Sequence, residues 1–363
     1  MKNVLVTGGA GFIGSNFVRF LQKQEPDIRV ITLDALTYAG SLENLKDLPI
    51  PDRHIFLKGN ICDSEFVTKA FTEFQVDTVV HFAAETHVDR SILGPGQFIQ
   101  TNIVGTFNLL EAARKSWSKN GNEFDGSYRF HHVSTDEVFG TLKANEPAWV
   151  EETPYSPNSP YSASKASSDH LVRAYHHTYG LPISITNCSN NYGPNQFPEK
   201  LIPLMIVNAL TGKALPVYGD GQQIRDWLYV EDHCEAIWMV IKEGKSGETY
   251  NIGGNNQPAN LDIVKWICEI MDQNQPDAPH FPHKSLITYV KDRPGHDRRY
   301  AMDITKISKE LGWKPRHTLE EGLRETVGWY LSHPEWLASI SDRSDLKDWI
   351  ARNYIDRDKG GVK

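Results

Sequence analysis

The sequence predicts an α/β fold, a doubly wound parallel sheet that carries a smaller, mainly helical C-terminal lobe. Through the first half of the chain, short β-rich apolar runs alternate with helical stretches. After about residue 190, prolines and glycines punctuate shorter elements, which indicates a change of architecture. Because a parallel sheet is covered by helices on both faces, apolar strands separated by helices are typical of it.

The predicted strands and helices alternate along the chain. Strands are expected at the apolar runs 4–6, 30–33, 54–57, 78–82, 129–134 and 183–186, with a last strand near 250–253. Helices are expected at 15–24, 65–74, 103–116 and 161–179. This order predicts right-handed crossovers between neighbouring parallel strands.

The chain of 363 residues is longer than one compact core of ordinary size requires, so two lobes are expected. A polar stretch at 119–122 predicts a surface loop. The expected division is 1–189 with a returning segment at about 230–255 for the sheet domain, 190–229 and 256–335 for the second lobe, and 336–363 for a C-terminal extension.

The composition excludes several classes of protein. With 39% hydrophobic and 23% charged residues, it is that of an ordinary globular protein. A net charge of -8 and the lack of a long basic run argue against a nucleic-acid partner. No apolar run reaches membrane-spanning length, and the first residues run directly into a strand. We therefore expect no membrane partner and a cytoplasmic location.

The cysteines and histidines predict neither disulfides nor a metal site. The four cysteines are far apart and form no C-x-x-C pair. The histidines lack neighbours at metal-ligand spacing. Free, buried thiols in a reducing compartment are the expectation.

A glycine-rich turn follows the first predicted strand. Gly9, Gly11 and Gly14 satisfy G-x-G-x-x-G and open a helix, so the backbone can approach a pyrophosphate. Asp34, at the end of the second strand, is placed to bind the adenosine ribose hydroxyls and to repel a 2′-phosphate. The motif predicts NAD rather than NADP; the alternative is a glycine turn that serves packing alone.

Tyr161 and Lys165 lie one helical turn apart on the same predicted helix face. A tyrosine with an ordinary pKa of about 10 is a poor base at neutral pH. A neighbouring ammonium and a nicotinamide cation favour the phenolate, so we expect a lowered pKa for Tyr161. The alternative is an ordinary pair on an amphipathic helix.

The run Thr135-Asp136-Glu137 ends a central predicted strand, where open sheets bind their ligands. Two carboxyl groups with unequal pKa values can act as acid and base in the elimination of water. Hydride transfer alone does not require such a pair. The alternative is a helix cap or solvated loop acids.

These motifs together resemble the extended short-chain dehydrogenase/reductase superfamily and, within it, the dTDP-glucose 4,6-dehydratase family. The resemblance extends from residue 1 to about 330. Departures from the family pattern are Asn60 for an aspartate, Thr86 for a serine and Phe139 for a tyrosine. Other similar runs are 83–91, 190–194, 197–201, 219–221, 225–227 and 293–297.

The resemblance implies a Rossmann-like sheet domain with a nucleotide-sugar-binding lobe, and it implies roles for individual residues. The implied catalytic residues are Thr135, Asp136, Glu137, Tyr161 and Lys165. The implied NAD-binding residues are Gly8, Gly11, Phe12, Ile13, Gly14, Asp34, Thr37, Asn60, Ile61, Ala83, Ala84, Thr101, Tyr161, Lys165 and Asn191. The implied substrate-binding residues are Thr86, Thr135, Asn190, Lys200, Leu201, Pro216, Tyr218, Arg225, Asn260, Arg293 and His296.

The implied reaction converts dTDP-glucose to a 4-keto-6-deoxy sugar and water by an internal NAD redox cycle. A nucleotide-sugar 4-epimerase, a dehydratase acting on UDP-glucose and a non-catalytic homologue remain as alternatives. The family also implies a homodimer in which helices beginning near Thr101 and at Tyr161 pair across a two-fold axis. The alternative is that their apolar faces cover the parent sheet. The apolar and small residues concerned are Val104, Leu109, Leu110, Ala163, Ala166, Leu171 and Val172.

Overall fold

The computed structural model describes residues 1–118, 123–292, 296–341 and 346. The predicted surface loop at 119–122, Arg293 and most of the predicted C-terminal extension therefore lie outside the described residues.

A parallel sheet forms the centre of the molecule. Among the described residues it has seven strands in the order β10-β6-β5-β4-β1-β2-β3. The order reverses at β1, as the predicted doubly wound topology requires, and this fold class is confirmed. The strands are β1 (Asn3–Thr7), β2 (Arg29–Asp34), β3 (His54–Lys58), β4 (Thr78–His81), β5 (Arg129–Thr135), β6 (Ile183–Cys188) and β10 (Thr249–Ile252).

Helices cover both faces of this sheet. All residues of β4 and β6 are buried, which explains their near-continuous apolar runs. The covering helices are α1 (Phe12–Gln24), α2 (Ser64–Phe74), α5 (Thr106–Trp117), α6 (Pro160–Tyr179) and α8 (Val230–Glu243). The short helices α3 (Val88–Leu93) and α4 (Pro95–Phe98) pack against α6.

Local signals set the ends of the long helix α6. Ser159 and Ser162 form a reciprocal capping box, and Pro160 occupies the first turn. Gly180 ends the helix in the left-handed conformation with φ 75°. The helix predicted at 103–116 begins earlier than expected, because a π-helical stretch, Ile99–Gly105, precedes α5. Within this stretch, Asn102 bonds the main chain of Glu85 in both directions, at 2.8 and 3.0 Å.

The remaining elements form a smaller lobe around one apolar cluster. This cluster includes Tyr192, Met205, Ile267 and Tyr330. The pairs β7 with β9 and β8 with β11 are parallel. The elements are β7 (Asn190–Tyr192), α7 (Leu201–Leu210), β8 (Leu215–Tyr218), β9 (Trp227–Tyr229), α9 (Asn260–Asn274), β11 (Ile287–Val290), α11 (Leu319–Ser332) and α12 (Pro334–Ser341).

One helix of the C-terminal part packs on the sheet domain. Helix α10 (Thr305–Leu311) contacts β10 and α8, and its Ile307 joins their apolar cluster. The residue boundaries of the two lobes stay a prediction.

Several residues expected at a dimer interface lie inside the protomer. Leu109, Leu110 and Val172 are fully buried, and Ala166 is nearly so. Leu109, Leu110 and Val172 pack on the parent sheet, which is the alternative that the sequence left open, whereas Ala166 packs in a separate cluster with Phe139 and Trp149. Because these side chains are buried within the protomer, they cannot contact a partner subunit.

Candidate active site

A cavity of about 430 Å³ lies beyond the carboxyl ends of β1, β4, β5 and β6 and is walled on its other side by the smaller lobe. Every site residue expected from the sequence lines it, except Arg293, which lies outside the described residues. The topology brings these residues together because parallel strands end at the same edge of the sheet.

The glycine turn forms one wall of this cavity. Gly8 has φ 71°, and a Cβ on it would lie 2.7 Å from the Ala83 nitrogen. A Cβ on Gly14 would lie 2.3 Å from the Gly8 oxygen. Only glycine therefore allows this turn, and α1 begins at Phe12 directly at the cavity wall. The turn offers backbone N–H groups and the positive end of a helix dipole, which suits a pyrophosphate.

Asp34 lies beside this turn with 8% of its surface exposed. Its carboxylate accepts the Ala10 N–H at 2.9 Å and the Leu36 N–H at 2.8 Å. Burial raises the pKa of Asp34, and the two backbone bonds oppose that rise. Gly40 packs against it, since a Cβ there would lie 2.9 Å from Asp34 Oδ1. The glycine cradle and this carboxylate fit the adenosine diphosphate half of NAD.

The predicted acid pair lies at the start of a short 3₁₀ helix, Asp136–Phe139. Thr135 is the N-cap of this helix and accepts the Glu137 N–H at 3.3 Å. The Thr135 hydroxyl also donates to Asp136 Oδ1 at 3.2 Å, and Tyr161 lines the same cavity. Capping thus orients Thr135 while both acids stay on the cavity wall.

Asp136 is almost fully buried, with 2% of its surface exposed. Burial raises its pKa well above the usual range, and the negative charges of Glu137 and Asp226 raise it further. The positive charge of Arg225 lowers this pKa, but by less. Burial therefore favours the protonated form of Asp136. A protonated carboxyl group can donate that proton to a leaving hydroxyl.

The expectation that the pKa of Tyr161 is lowered by Lys165 is wrong for the protein groups alone. Burial raises the pKa of Tyr161 well above 10, and the negative charge of Glu137 raises it further. The hydrogen bond from Thr135 only partly opposes this rise. Helical spacing places Tyr161 and Lys165 on one face, but it does not reveal how strongly burial penalises a phenolate.

Lys165 belongs to a buried polar network behind the cavity. Its ammonium donates to the Val133 carbonyl at 2.8 Å and lies 3.5 Å from His132 Nε2. His132 Nε2 in turn lies 3.2 Å from Asp169 Oδ1. Asp169 Oδ2 accepts the hydroxyls of Ser134 and Tyr155, both at 2.8 Å. The network holds the Lys165 ammonium against the strand that carries the acid pair.

The network fixes the charge states of its members. Burial lowers the pKa of His132 to about 4, and the Lys165 ammonium lowers it too, so the imidazole is neutral at pH 7. Burial opposes ionisation of Asp169, but His132, Lys165 and Arg173 outweigh it and lower its pKa. Asp169 is therefore the carboxylate that balances the Lys165 charge.

Replacing Asp169 by asparagine is expected to lower the free energy of unfolding by about 3 kcal/mol at pH 7, because it leaves buried donors and Lys165 without their anion. The folded pKa of Asp169 is depressed, so its contribution is present above the unfolded pKa and lost as pH falls through the folded pKa. Urea unfolding at pH 7 and below pH 4 measures this. The exposed Asp27→Asn is the control. If D169N lowered the free energy of unfolding as much below pH 4 as at pH 7, the stabilising role of the Asp169 carboxylate would be contradicted.

The residues expected to bind the nucleotide sugar line the lobe side of the cavity. Arg225 is 4% exposed, donates to the carbonyls of Ile224 and Asp297, and lies over the Tyr300 ring at 4.1 Å. Lys200 Nζ donates to the Thr86 carbonyl at 3.2 Å. His296 Nδ1 pairs with Asp292 at 2.6 Å. These side chains are held by the protein at the cavity wall.

Sequence reasoning missed Glu199, a further buried carboxyl group in the cavity. Glu199 is 4% exposed and lies 3.4 Å from Arg90, whose guanidinium lies 3.8 Å from the Tyr38 ring centroid. Burial raises the pKa of Glu199 to about 7. The family resemblance includes the run 197–201, but it implies a substrate-binding role only for Lys200 and Leu201. The signal in the sequence that could have identified Glu199 is an acidic residue between the apolar and proline residues of this run.

Two negative findings concern the described residues. No group of three or more histidine, cysteine or acidic side chains in that part of the chain is placed to hold a metal ion. Nor does any helix there combine the length and apolar character needed to cross a membrane.

Comparison with known proteins identifies the family. A family model described as GDP-mannose 4,6 dehydratase matches residues 5–326. A dTDP-glucose 4,6-dehydratase from Salmonella typhimurium is 56% identical over 98% of this chain and 99% of its own. This chain belongs to the dTDP-glucose 4,6-dehydratase family.

Solved structures agree with membership of the dTDP-glucose 4,6-dehydratase family. DesIV, a dTDP-glucose 4,6-dehydratase from Streptomyces venezuelae solved with NAD and a dTDP ligand, is 44% identical. It has a TM-score of 0.83 over 93% of this chain and 99% of its own. A UDP-glucose 4-epimerase from Thermotoga maritima is 30% identical, with a TM-score of 0.80 over 92% and 99%.

Proposed function

We propose that this chain is an NAD-dependent dTDP-glucose 4,6-dehydratase, which converts dTDP-glucose to dTDP-4-keto-6-deoxyglucose and water. The observation that carries the proposal is the placement of a buried Asp136, whose pKa is raised, beside Glu137 and Tyr161 in a cavity that the dinucleotide-binding turn also lines. The family membership supports the same activity.

The first step is oxidation at carbon 4 of the glucosyl group. Tyr161 accepts the proton of the 4-hydroxyl, and Thr135, which lines the same cavity, holds the carbon-4 oxygen. When bound, NAD would supply the redox chemistry of this site: it would take hydride from carbon 4 and return it to carbon 6. Because burial and Glu137 raise the pKa of Tyr161, the positive charge of Lys165 and of the nicotinamide ring is needed to favour the phenolate.

The second step is elimination of water across carbons 5 and 6. The carbon-4 ketone acidifies the proton on carbon 5, and Glu137 removes it. Asp136 gives its proton to the departing 6-hydroxyl, which leaves as water. The carbon–oxygen bond at carbon 6 breaks as the carbon 5–carbon 6 double bond forms. When hydride returns to carbon 6, Glu137 gives the proton back to carbon 5. The proton that Tyr161 took from the 4-hydroxyl then replaces, through solvent, the one that Asp136 lost. Burial suits Asp136 to this role, since it keeps the acid protonated until the hydroxyl leaves.

The acid pair distinguishes this reaction from epimerisation. A 4-epimerase shares the need for Tyr161, Lys165 and the glycine turn, but it removes no proton from carbon 5. An elimination needs both an acid and a base, and two carboxyl groups, one of which has a raised pKa, can supply them. Because the reaction would regenerate NAD in each cycle, turnover would not require exchange of the cofactor.

Incubation with dTDP-glucose and UDP-glucose in separate reactions tests the proposal. Mass spectrometry is expected to show loss of one water from dTDP-glucose. A product of unchanged mass would indicate an epimerase, and faster loss of water from UDP-glucose would contradict the assignment of the nucleotide.

The diphosphate and base are assigned to the lobe side of the cavity. Arg225 and Lys200 supply positive charge, and His296 lies near Tyr218, with their ring centroids 6.1 Å apart. Asn190 and Asn260 supply amide groups on the same wall. Pro216 and Tyr218 line it from β8.

We further assign the chain to a cytoplasmic homodimer. The four cysteines are free, which suits a reducing compartment. Exposed apolar side chains cluster in sequence on α3, the π-helical stretch and α5, and they support association there. They are Ile92, Leu93, Ile99 and Phe107. Light scattering at micromolar concentration tests the dimer, and a monomer would contradict it.

A further inference from the structure

The loop that follows β2 closes the cavity over Asp34. Ala35, Thr37, Ala39 and Gly40 line the cavity from this loop, and Gly40 packs against Asp34. The loop continues into a short 3₁₀ helix, Leu42–Leu45. Any movement of this segment would displace the wall that faces the adenosine end of the site.

Asn44, in this 3₁₀ helix, joins the loop to the glycine turn. Its side chain is 2% exposed, and its Nδ2 donates to the Ala10 carbonyl at 2.9 Å. The same carbonyl accepts the Ser41 N–H at 3.0 Å. The Ala10 N–H in turn donates to Asp34 Oδ2 at 2.9 Å. Asn44 is thus linked through one residue to the carboxylate assigned to the ribose.

The side-chain oxygen of Asn44 is bound by a residue of the C-terminal helix α12. Trp336, on α12, donates its indole N–H to Asn44 Oδ1 at 2.7 Å across 292 residues of sequence. Trp336 is 6% exposed and packs edge-on against Trp329 and Tyr330, with ring centroids 4.9 and 5.8 Å away. A tryptophan in such a site is held rigidly, so its N–H is a fixed donor.

Other contacts hold the same loop without involving Trp336. Arg19 of α1 donates to the carbonyls of Asn44 and Lys46, at 2.5 and 2.7 Å. Tyr38 packs against Phe197 of the lobe, with ring centroids 6.2 Å apart. The Trp336–Asn44 bond differs from these because it ties the C-terminal helix, through the Asn44 side chain, to the main chain of the glycine turn.

We propose that Trp336 and Asn44 are positioning residues for NAD: the Trp336–Asn44–Ala10 bonds hold the loop after β2 closed over Asp34, so that the cofactor stays bound between turnovers. The inference rests on the proposed function, because a cofactor that is regenerated in every cycle gains from slow release. Opening the loop for NAD to leave would break this buried bond first.

Trp336→Phe removes the indole N–H and keeps an aromatic ring in the cluster. Loss of one buried hydrogen bond is expected to raise the rate of NAD dissociation about tenfold. Asn44→Leu removes both bonds of the amide and is expected to have at least the same effect. The double variant should release NAD no faster than Asn44→Leu alone, because both changes break one chain of bonds.

The experiment uses holoenzyme carrying radiolabelled NAD, chased with excess unlabelled NAD and filtered at intervals, with no sugar present. Trp266→Phe, an exposed tryptophan on α9, is the matched control and should release label at the wild-type rate. Thermal unfolding of each variant is recorded in parallel. Added NAD should restore turnover of W336F.

Release of label by W336F at the wild-type rate, whatever its thermal stability, would overturn the proposal. The proposal would also be overturned if the double variant released NAD at a rate raised by the product of the two single effects. Because the readout is cofactor exchange without sugar, failure here is distinguishable from failure of the dehydratase assignment, which would appear as no loss of water from dTDP-glucose.

Discussion

Replacing Asp136 by asparagine together with Glu137 by glutamine is expected to lower the rate of water loss by about 10²–10⁴-fold. The amides keep the size and polarity of both side chains but supply neither acid nor base. Oxidation at carbon 4 depends on Tyr161 and Thr135, so a single turnover should still form the 4-ketone and reduced nicotinamide. Rapid-quench mass spectrometry with absorbance detection measures both steps.

Equal loss of oxidation and elimination in this variant would contradict the division of roles. The single substitutions refine the test. Asp136→Asn removes the proton donor for the 6-hydroxyl, and Glu137→Gln removes the base for the carbon-5 proton. Exchange of the carbon-5 hydrogen with solvent deuterium should therefore survive in D136N and be lost in E137Q.

The D136N variant should also be more stable than the wild type at neutral pH. The folded pKa of Asp136 is raised by burial and by Glu137, whereas the unfolded side chain ionises at about pH 4. The wild-type protein therefore loses stability as pH rises above the unfolded pKa, until the folded pKa is reached. The amide has no proton to lose.

Thermal unfolding at pH 4 and pH 8 measures this effect. The gain from D136N should be larger at pH 8, and the exposed Asp52→Asn should show no such gain. A lower melting temperature for D136N at pH 8 would contradict the burial of a protonated acid at this position.

Tyr161→Phe is expected to lower oxidation at carbon 4 by about 10²–10⁴-fold, because it removes the base that takes the 4-hydroxyl proton. The ring stays in place against Phe98, whose centroid lies 6.3 Å away, so folding and NAD binding should be preserved. Single-turnover formation of reduced nicotinamide measures the step. The exposed Tyr289→Phe is the control.

The pH profile of the same step separates a chemical role from a structural one. The wild-type rate should rise with pH as Tyr161 ionises in the complex with NAD and sugar. The slow residual rate of Y161F should lose that dependence. A wild-type rate in Y161F would remove Tyr161 from the mechanism.

The fold and much of the cavity wall could be predicted because their determinants are local. A strand, a glycine turn and a helix are contiguous, and Asp136 and Glu137 follow a strand directly. Parallel strands place their carboxyl ends at one edge, so residues far apart in sequence converge without any contact being known. The role of each side chain in binding and chemistry stays a proposal.

Features that depend on packing could not be predicted. The raised pKa of Tyr161 follows from complete burial, which helical spacing does not reveal. The sequence alone does not show whether Leu109 and Leu110 belong to the protomer core or to a dimer interface; the structure shows that they are fully buried in the protomer. The Trp336–Asn44 bond joins residues 292 apart, and neither carries a local motif.

The central claim, an internal transfer of hydride within one sugar, is tested most directly with dTDP-glucose carrying deuterium at carbon 4. The account predicts a dTDP-4-keto-6-deoxyglucose with that deuterium at carbon 6 and no free reduced nicotinamide. Deuterium recovered in released NADH, or retained at carbon 4 of a product that has lost no water, would contradict it.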